Sequence, residues 1–342
     1  MIRKVIAAVL LLVGAGILLV ALWPQPFGLQ AAPIVAQVVS LRGLDVTIAL
    51  ALALVLGLIA VGWRAARRFF GSLVLLLVVF CLLSVAILSV RGFGGNQPAT
   101  REAGDITVLS WNTRGDAPGA AEIAKLALLE HADVIALPET TQQTGYDVSE
   151  LMKAAGHPMW VYSAAHGYVY ESHATTLLIA ASLGEYSVDR TEGDTSVLAS
   201  IIAKPADGVG PTIVAVHAVS PKPGEMANWR SDLAYLASRC SGGNLIMAGD
   251  FNSTIDELST LSSGNGADFG HCSDAGYASK SAAIGSWPTN LPTLLGAQID
   301  HVMYTSNWHT VSFHVIQTED LAGSDHRPVV AVLAPDAATT SK

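Results

Sequence analysis

Charge is scarce in this chain, and what there is sits unevenly. Only 14% of its 342 residues are Asp, Glu, Lys or Arg, against 51% hydrophobic, a balance that excludes both a disordered chain and a simple soluble enzyme. Three cysteines are too few for a disulfide-dense small domain. The first hundred residues hold one acid, Asp45, beside seven basic side chains, Arg3, Lys4, Arg42, Arg64, Arg67, Arg68 and Arg91. The rest lacks the opposite sign: 12 basic and 27 acidic side chains give −15 behind an overall −9. Two unlike parts therefore share a length that suits about two domains. No GxxxxGK[ST] loop, GxSxG elbow or HExxH helix occurs. Their absence removes P-loop triphosphatase, α/β-hydrolase and zinc-peptidase chemistry.

No charge interrupts Val5–Leu22, Val46–Gly62 or Phe69–Val90. As helices these runs measure ~25–33 Å, the thickness of a bilayer core. None carries a polar face at helical spacing, so three transmembrane helices are expected rather than buried ones. The first run is also longer than the apolar core of a leader peptide. Basic residues (Arg3 and Lys4) precede the first run and fill the loop between the second and third. That asymmetry places the N-terminus and Arg64–Arg68 in the cytoplasm and everything after Val90 outside it, as a multi-pass protein of the cell membrane. Pro33–Leu44 reads equally as a short interfacial helix or as loop. The expected organisation is a membrane domain over 1–90, a Gly-rich linker over 91–105, an outer domain over 106–335 and a tail over 336–342. Cys81 lies inside the third run. Cys240 and Cys272 are the only cysteines of the outer part, and an external compartment favours their pairing over two buried thiols.

The outer part alternates between periods. Ile106–Asn112, Asp133–Glu139, Thr175–Ala181, Ser196–Ala203, Thr212–His217, Leu245–Asp250, Ile299–Tyr304, Thr310–Ile316 and Val329–Leu333 read as strands. Gly119–Ala132, Val148–Ala155 and Glu225–Cys240 read as helices. Strands outnumber helices and several follow one another directly. This favours an α/β sandwich of two helix-covered sheets over a doubly wound parallel sheet.

What closes those apolar strands carries the chemistry. VLSW ends in Asn112, VIALP in Glu139, IVAV in His217 and LIMAG in Asp250 with Asn252 just beyond; Asp300 opens IDHV, and Asp325-His326 precede PVVAVL. One such residue is ordinarily a turn former. Six strand ends with the same chemistry are hard to obtain from turn statistics. Carboxylates and an amide without cysteine suit a hard cation such as Mg²⁺ or Mn²⁺. Imidazoles and amides beside it suit an anionic oxygen, and an Asp there can orient or deprotonate water. Hydrolytic phosphoryl transfer requires this combination. A catalytically silent binding module would have no reason to keep carboxylates that cost desolvation.

The series WNTRG, LPET, VHAVSP, GDFNS, IDHV and GSDHRPV, in that order, resembles the endonuclease/exonuclease/phosphatase superfamily. That group includes pancreatic-type deoxyribonucleases, apurinic endonucleases, neutral sphingomyelinases and inositol-polyphosphate phosphatases. The resemblance runs from about Asp105 to Pro335 and implies a four-layer α/β/β/α sandwich, here preceded by three transmembrane helices. It implies Glu139 as principal Mg²⁺ ligand, with Asn112 beside it and Asp325 as a metal-side carboxylate. Asp250 would activate the attacking water, Asn252 would bond the developing charge, and His326 would contact the phosphoryl oxygen while held by Asp300. His217 would assist the leaving oxygen or the phosphate. Arg114 stands where some members have an Asp, and an Arg there suits phosphate rather than a second metal. The carboxylate that family members pair with the His217 position is not evident; Tyr168–His173 (YVYESH) is one place for it. Trp287 lies in a loop (GSWP) that would line the substrate cleft or merely pack.

The −15 of the outer part also bears on substrate. A nucleic-acid groove needs several Lys or Arg, and the 12 present are scattered. A linker of about 15 residues reaches at most ~50 Å, which keeps the domain near the bilayer and its phosphoesters. A lipid or cell-envelope phosphoester is therefore expected ahead of DNA or RNA.

Overall fold

Alternating apolar side chains build two six-stranded sheets that lie face to face. The computed structural model describes residues 1–94, 101–167, 173–264, 266 and 268–336. In chain order the strands are β1 (Ile106–Ser110), β2 (Val134–Pro138), β3 (Met159–Ala165), β4 (Ala174–Ala180), β5 (Tyr186–Val188), β6 (Ile201–Pro205), β7 (Thr212–His217), β8 (Leu245–Asp250), β9 (Ser273–Asp274), β10 (Asp300–Tyr304), β11 (Trp308–Val315) and β12 (Val329–Pro335). One sheet runs β11-β12-β1-β2-β4-β3 and the other β5-β6-β7-β8-β10-β9. The period of two sends Val108, Val134 and Ile179 to the inner face, against Ile213, Ile246 and Val302 of the facing sheet. Leu109, Ile135 and Leu178 turn outward, under Ile123, Leu126 and Met152.

Helices cover both outer faces. Numbered along the whole chain, they are α1 (Ile2–Leu22), α2 (Val35–Ser40), α3 (Arg42–Gly62), α4 (Arg67–Arg91), α5 (Gly119–Leu129), α6 (Gln142–Ala154), α7 (Met226–Arg239), α8 (Ile255–Leu258) and α9 (Ala275–Ala278). α5 and α6 lie on the first sheet, and α7 lies on the second through Trp229, Leu233 and Leu236. The result is the four-layer α/β/β/α sandwich. α6 starts six residues before the expected Val148, because Thr141 caps it by accepting from the Thr144 amide and its first turns are polar. β6 starts at Ile201, not Ser196, because Asp194 draws the Thr195 and Ser200 amides into a turn.

α1, α3 and α4 are long and apolar enough to cross a membrane. They begin before, and in one case end after, the uncharged runs: Arg42 opens α3 and Arg91 closes α4. Small residues Ala49 and Ala53 of α3 pack on Leu77, Phe80 and Cys81 of α4, the close approach that lipid-embedded helices favour. Leu12, Ile17, Leu54, Leu58, Leu75 and Leu82 remain exposed, a surface that water would oppose.

The segment between α1 and α3 is not free loop. α2 occupies part of Pro33–Leu44, Ala36 joins the core beneath α7, and Gln37 donates to the Pro221 carbonyl. The stretch read as linker also starts docked. Gly94 N–H donates to the Lys280 carbonyl at 3.0 Å, and Ala283 N–H to that of Gly92 at 3.0 Å. Gly92 has a positive φ of 84°, and a Cβ there would strike Lys280, so only glycine fits this approach.

Cys240 and Cys272 form a disulfide with Cα atoms 5.7 Å apart across 32 residues. Closing a loop of that length in the unfolded chain contributes about 3–4 kcal/mol on the chain-entropy model. The Cys240→Ser/Cys272→Ser variant should therefore show a lower urea midpoint with near-native spectra. Equal midpoints would remove the bond from the account of stability.

Candidate active site

Strand register assembles the centre. β8 lies between β7 and β10, and the pairing sets His217 and Asp300 on either side of Asp250. On the facing sheet, β1 pairs with β2 and with β12. Asn112 and Glu139 therefore project beside the loop that brings Asp325 and His326 to the start of β12. Ser324 fixes that loop: its hydroxyl donates to the Asn112 carbonyl at 2.6 Å and accepts from the His326 amide at 3.0 Å. Trp111 Nε1 donates to the His326 carbonyl at 2.9 Å.

Asn112 bridges the two sheets. Its Nδ2 donates to Glu139 Oε1 at 3.1 Å and to Asp250 Oδ2 at 3.0 Å, while its Oδ1 accepts from the Arg114 amide. Glu139 adopts a left-handed φ of 55°, which is costly for a residue with a Cβ. Its carbonyl accepts from Thr113 Oγ1 and from the amides of Gly115 and Asp116, and these bonds hold the turn. Burial raises its carboxyl pKa; Asn112 and His326 oppose the shift, and Asp325 adds to it.

Asp250 is 1% exposed. It accepts from the Asn252 amide at 2.8 Å and from Asn252 Nδ2 at 3.0 Å. Burial raises its pKa against the pull of His326, leaving a carboxylate that takes a proton readily. His326 Nδ1 bonds Asp300 Oδ2 at 2.8 Å, and its Nε2 lies 3.8 Å from Asp250 Oδ2. Burial alone would lower the imidazole pKa, but Asp300 and Asp250 outweigh it and keep His326 protonated. The second Asp300 oxygen is buried and has no partner among the described residues.

His217 is fully buried. Its Nδ1 meets Thr175 Oγ1 at 3.0 Å, and its Nε2 has no partner among the described residues. Burial, then the nearby charge of His326, lowers its pKa to about 3, so it stays neutral. Among the described residues, Thr175 is the side chain that orients His217. Of the YVYESH stretch, 168–172 lie outside the described residues.

Asn252 donates its side-chain amide to Asp250 and to the Ala218 carbonyl, and so orients the Asp. Asp325 stands apart from the buried cluster, 3.8 Å from Arg114 Nε and accepting from Trp287 Nε1 at 3.1 Å. Trp287 thereby joins the rim instead of only packing. Arg114 is well exposed beside it.

Sequence reasoning missed the supports. Arg327, 1% exposed, donates to the carbonyls of Pro288, Thr289 and Leu291 and pairs with Asp320, which fixes the Trp287 loop. Ser286 Oγ accepts from the Asp300 amide. His301 bonds Asp274 at 2.6 Å and the Ser253 carbonyl at 2.9 Å, bracing the turn after Asp250. The SDHRPV and IDHV strings contain Arg327 and His301, but nothing in spacing separates a support from a catalytic group.

Among the described residues, Asp250, Asp300 and His326 bring ligand atoms within 4.8 Å of one another, a group able to hold a metal ion. This differs from the expected set of Glu139, Asn112 and Asp325. In the tight group, however, His326 Nδ1 is spent on Asp300. Glu139 and Asp325 are oxygen donors with Arg114 and the protonated His326 nearby, and Asn112 keeps its Nδ2 on Glu139 and Asp250. That donor set fits a hard divalent ion.

A model of the Endonuclease/Exonuclease/phosphatase family matches residues 109–326. No curated protein matches the chain significantly. Among solved structures, a humanized TDP2 of D. rerio carrying 14 mutations is 16% identical. It has a TM-score of 0.52, covering 68% of this chain and 99% of that one. TDP2 from C. elegans is 15% identical, with a TM-score of 0.51 over 84% and 93%. An endonuclease/exonuclease/phosphatase from Bacteroides vulgatus is 15% identical, with a TM-score of 0.50 over 68% and 99%. At such identities the likeness concerns fold. The family match is the stronger finding: it spans every strand end from Asn112 to His326, and the chain belongs to the Endonuclease/Exonuclease/phosphatase family.

Proposed function

We propose that this protein is a membrane-anchored, Mg²⁺-dependent phosphoesterase working outside the cytoplasm on a lipid or cell-envelope phosphoester. The observation that carries the chemistry is the buried Asp250, oriented by Asn112 and Asn252 and set beside a protonated His326–Asp300 pair. Asp250 orients water and accepts its proton. His326 presents positive charge to a phosphoryl oxygen, and Asp300 keeps it there. The Nε2 of His217, without a partner among the described residues, offers a neutral partner to the leaving or phosphoryl oxygen. Glu139 with Asp325 would hold the divalent ion, which would supply charge neutralisation at the phosphoryl group, while Asn112 keeps its Nδ2 on Glu139 and Asp250.

Two observations support a substrate in the membrane. The outer domain carries −15, unfavourable for a polyanion. In addition, the segments after β7 and β8 and before β10 carry site residues at one end and contacts to α2 or the membrane helix α3 at the other. Gln37 meets Pro221, Arg42 meets Asp256, and Gly43 of α3 abuts the Leu294 backbone.

Full-length protein in phospholipid vesicles with Mg²⁺, given bis-p-nitrophenyl phosphate, a phospholipid panel and plasmid DNA, should hydrolyse lipid phosphoesters faster than DNA. Rapid DNA cleavage lost in Asp250→Ala would establish a surface nuclease instead. For location, Glu150→Cys on exposed α6 should react with an impermeant maleimide in intact cells; reaction only after lysis would place the domain inside.

A further inference from the structure

Asp256 lies six residues beyond Asp250, on the short α8, and is 3% exposed. Side chains from the membrane helices converge on it. Arg42, at the start of α3, holds it bidentately, Nε to Oδ2 at 2.9 Å and Nη2 to Oδ1 at 2.7 Å. Arg91, at the end of α4, reaches Oδ1 at 2.7 Å. The third Arg42 nitrogen donates to the carbonyl of Leu22, the last residue of α1, at 3.1 Å. Gln25, just past α1, donates to the Asp256 carbonyl and Oδ1. The ends of all three spans therefore meet at one carboxylate of the catalytic domain.

One bidentate arginine already neutralises a buried carboxylate. A second cation from a different helix adds a geometric constraint, fixing the separation of α3 and α4 relative to the loop. A cavity of about 840 Å³ flanks the junction on one side, walled by Leu19, Leu22, Leu83 and Ile87 and reaching Arg91 and Asp256. On that side the ion pairs carry the contact, while Gly43 against the Leu294 backbone and Gly92 against Lys280 seat the helix ends elsewhere. From the core side, His301 and Trp229 hold Ser253 and the Asn252 carbonyl. The segment 250–257 is thus gripped from both sides, with Asp250 and Asn252 at one end and Asp256 at the other.

We propose that the membrane helices position the catalytic loop: Arg42 and Arg91, through Asp256, set Asp250 and Asn252, so that turnover depends on how α3 and α4 sit in their bilayer. Arg42, Arg91 and Asp256 are positioning residues, not catalytic ones. The inference rests on the phosphoesterase reading for its effect on turnover, but not for the holding of the loop.

The test uses the full chain in lipid nanodiscs. Arg42→Gln and Arg91→Gln should each lower kcat for bis-p-nitrophenyl phosphate by about 10- to 100-fold with KM little changed, the cost of a small misplacement. Backbone hydrogen exchange should rise over 250–258 and not in β1 or β2. The triple variant Arg42→Met/Arg91→Met/Asp256→Leu removes the whole ion-pair cluster, leaves Glu257 on its bonds from Ser40 and Thr254, and guards against simple unfolding. It should melt near the wild type yet still show the lowered kcat and the faster exchange. Unchanged exchange over 250–258 in the single variants, or full kcat in the triple variant, would overturn the proposal. If the wild type hydrolyses none of the phosphoesters, the functional reading falls, while the exchange data still decide whether the helices hold the loop.

Discussion

The Asp250→Asn variant should lose kcat by about 10⁴-fold, the scale set by removing a group that acts as general base within a coupled constellation. Its KM should barely move, because the carboxylate faces the attacking water rather than the body of the substrate. Stability should change little, for two opposing reasons. A neutral side chain removes the burial penalty that raises the Asp250 pKa. It also turns an NH₂ toward Nδ2 of Asn112 or Asn252, where Asp Oδ2 accepted both, and opposed donors cost about 1–3 kcal/mol. The double variant Asp250→Asn/His326→Gln should be scarcely slower than either single variant, because the two side chains serve one step. Additive losses would show that they act separately and would sink the assignment of His326 as Asp250's partner in the reaction.

Much of this site was legible because strand ends are. β7 and β8 have the bounds that alternation and their closing polar residues indicate, and the six polar strand ends sit at one end of the sandwich because Asp300 and Asp325-His326 precede strands antiparallel to β8 and β1. Length and charge placement likewise pointed to α1, α3 and α4. What stayed hidden has a common physical cause. β3 mixes apolar residues with Ser163 and is only half-buried along most of its length, with Trp160 exposed, so its alternation is weak. Arg42 stands in sequence close to Asp45, whereas its partner Asp256 is more than two hundred residues away. Thr175 was part of an apolar strand, and only β4's place next to the centre makes its hydroxyl the partner of His217. Long-range pairings of single polar residues leave no periodic trace, so the supports of the site were unreadable where its ligands were not.

Glu139 gives the second large effect, and its sign reverses with the metal. The Glu139→Gln variant keeps shape and an acceptor for Asn112 Nδ2 but removes the charge from the proposed Mg²⁺ site. Loss of a principal ligand should cost at least the 10–100-fold in metal affinity that even outer-shell changes produce, and activity at ordinary Mg²⁺ should fall accordingly. Without metal, the native carboxylate is a liability. Its folded-state pKa lies above the ordinary value of 4.5 because of burial, so the unfolded chain releases that proton first. The contribution of Glu139 to folding is therefore most favourable below pH 4.5 and declines as pH rises through the raised value. In EDTA, the wild type should lose melting temperature from pH 5 to pH 8 more steeply than Glu139→Gln, and the variant should be the more stable at pH 8. Added Mg²⁺ should invert that order, stabilising the wild type by about 2.7 kcal/mol at a hundredfold excess over Kd and the variant hardly at all. Equal Mg²⁺ stabilisation of both proteins would move the ion away from Glu139, toward the Asp250–Asp300–His326 cluster. The same melts on Asp300→Asn would then identify the ligands, since that substitution leaves Glu139 and Asp325 untouched.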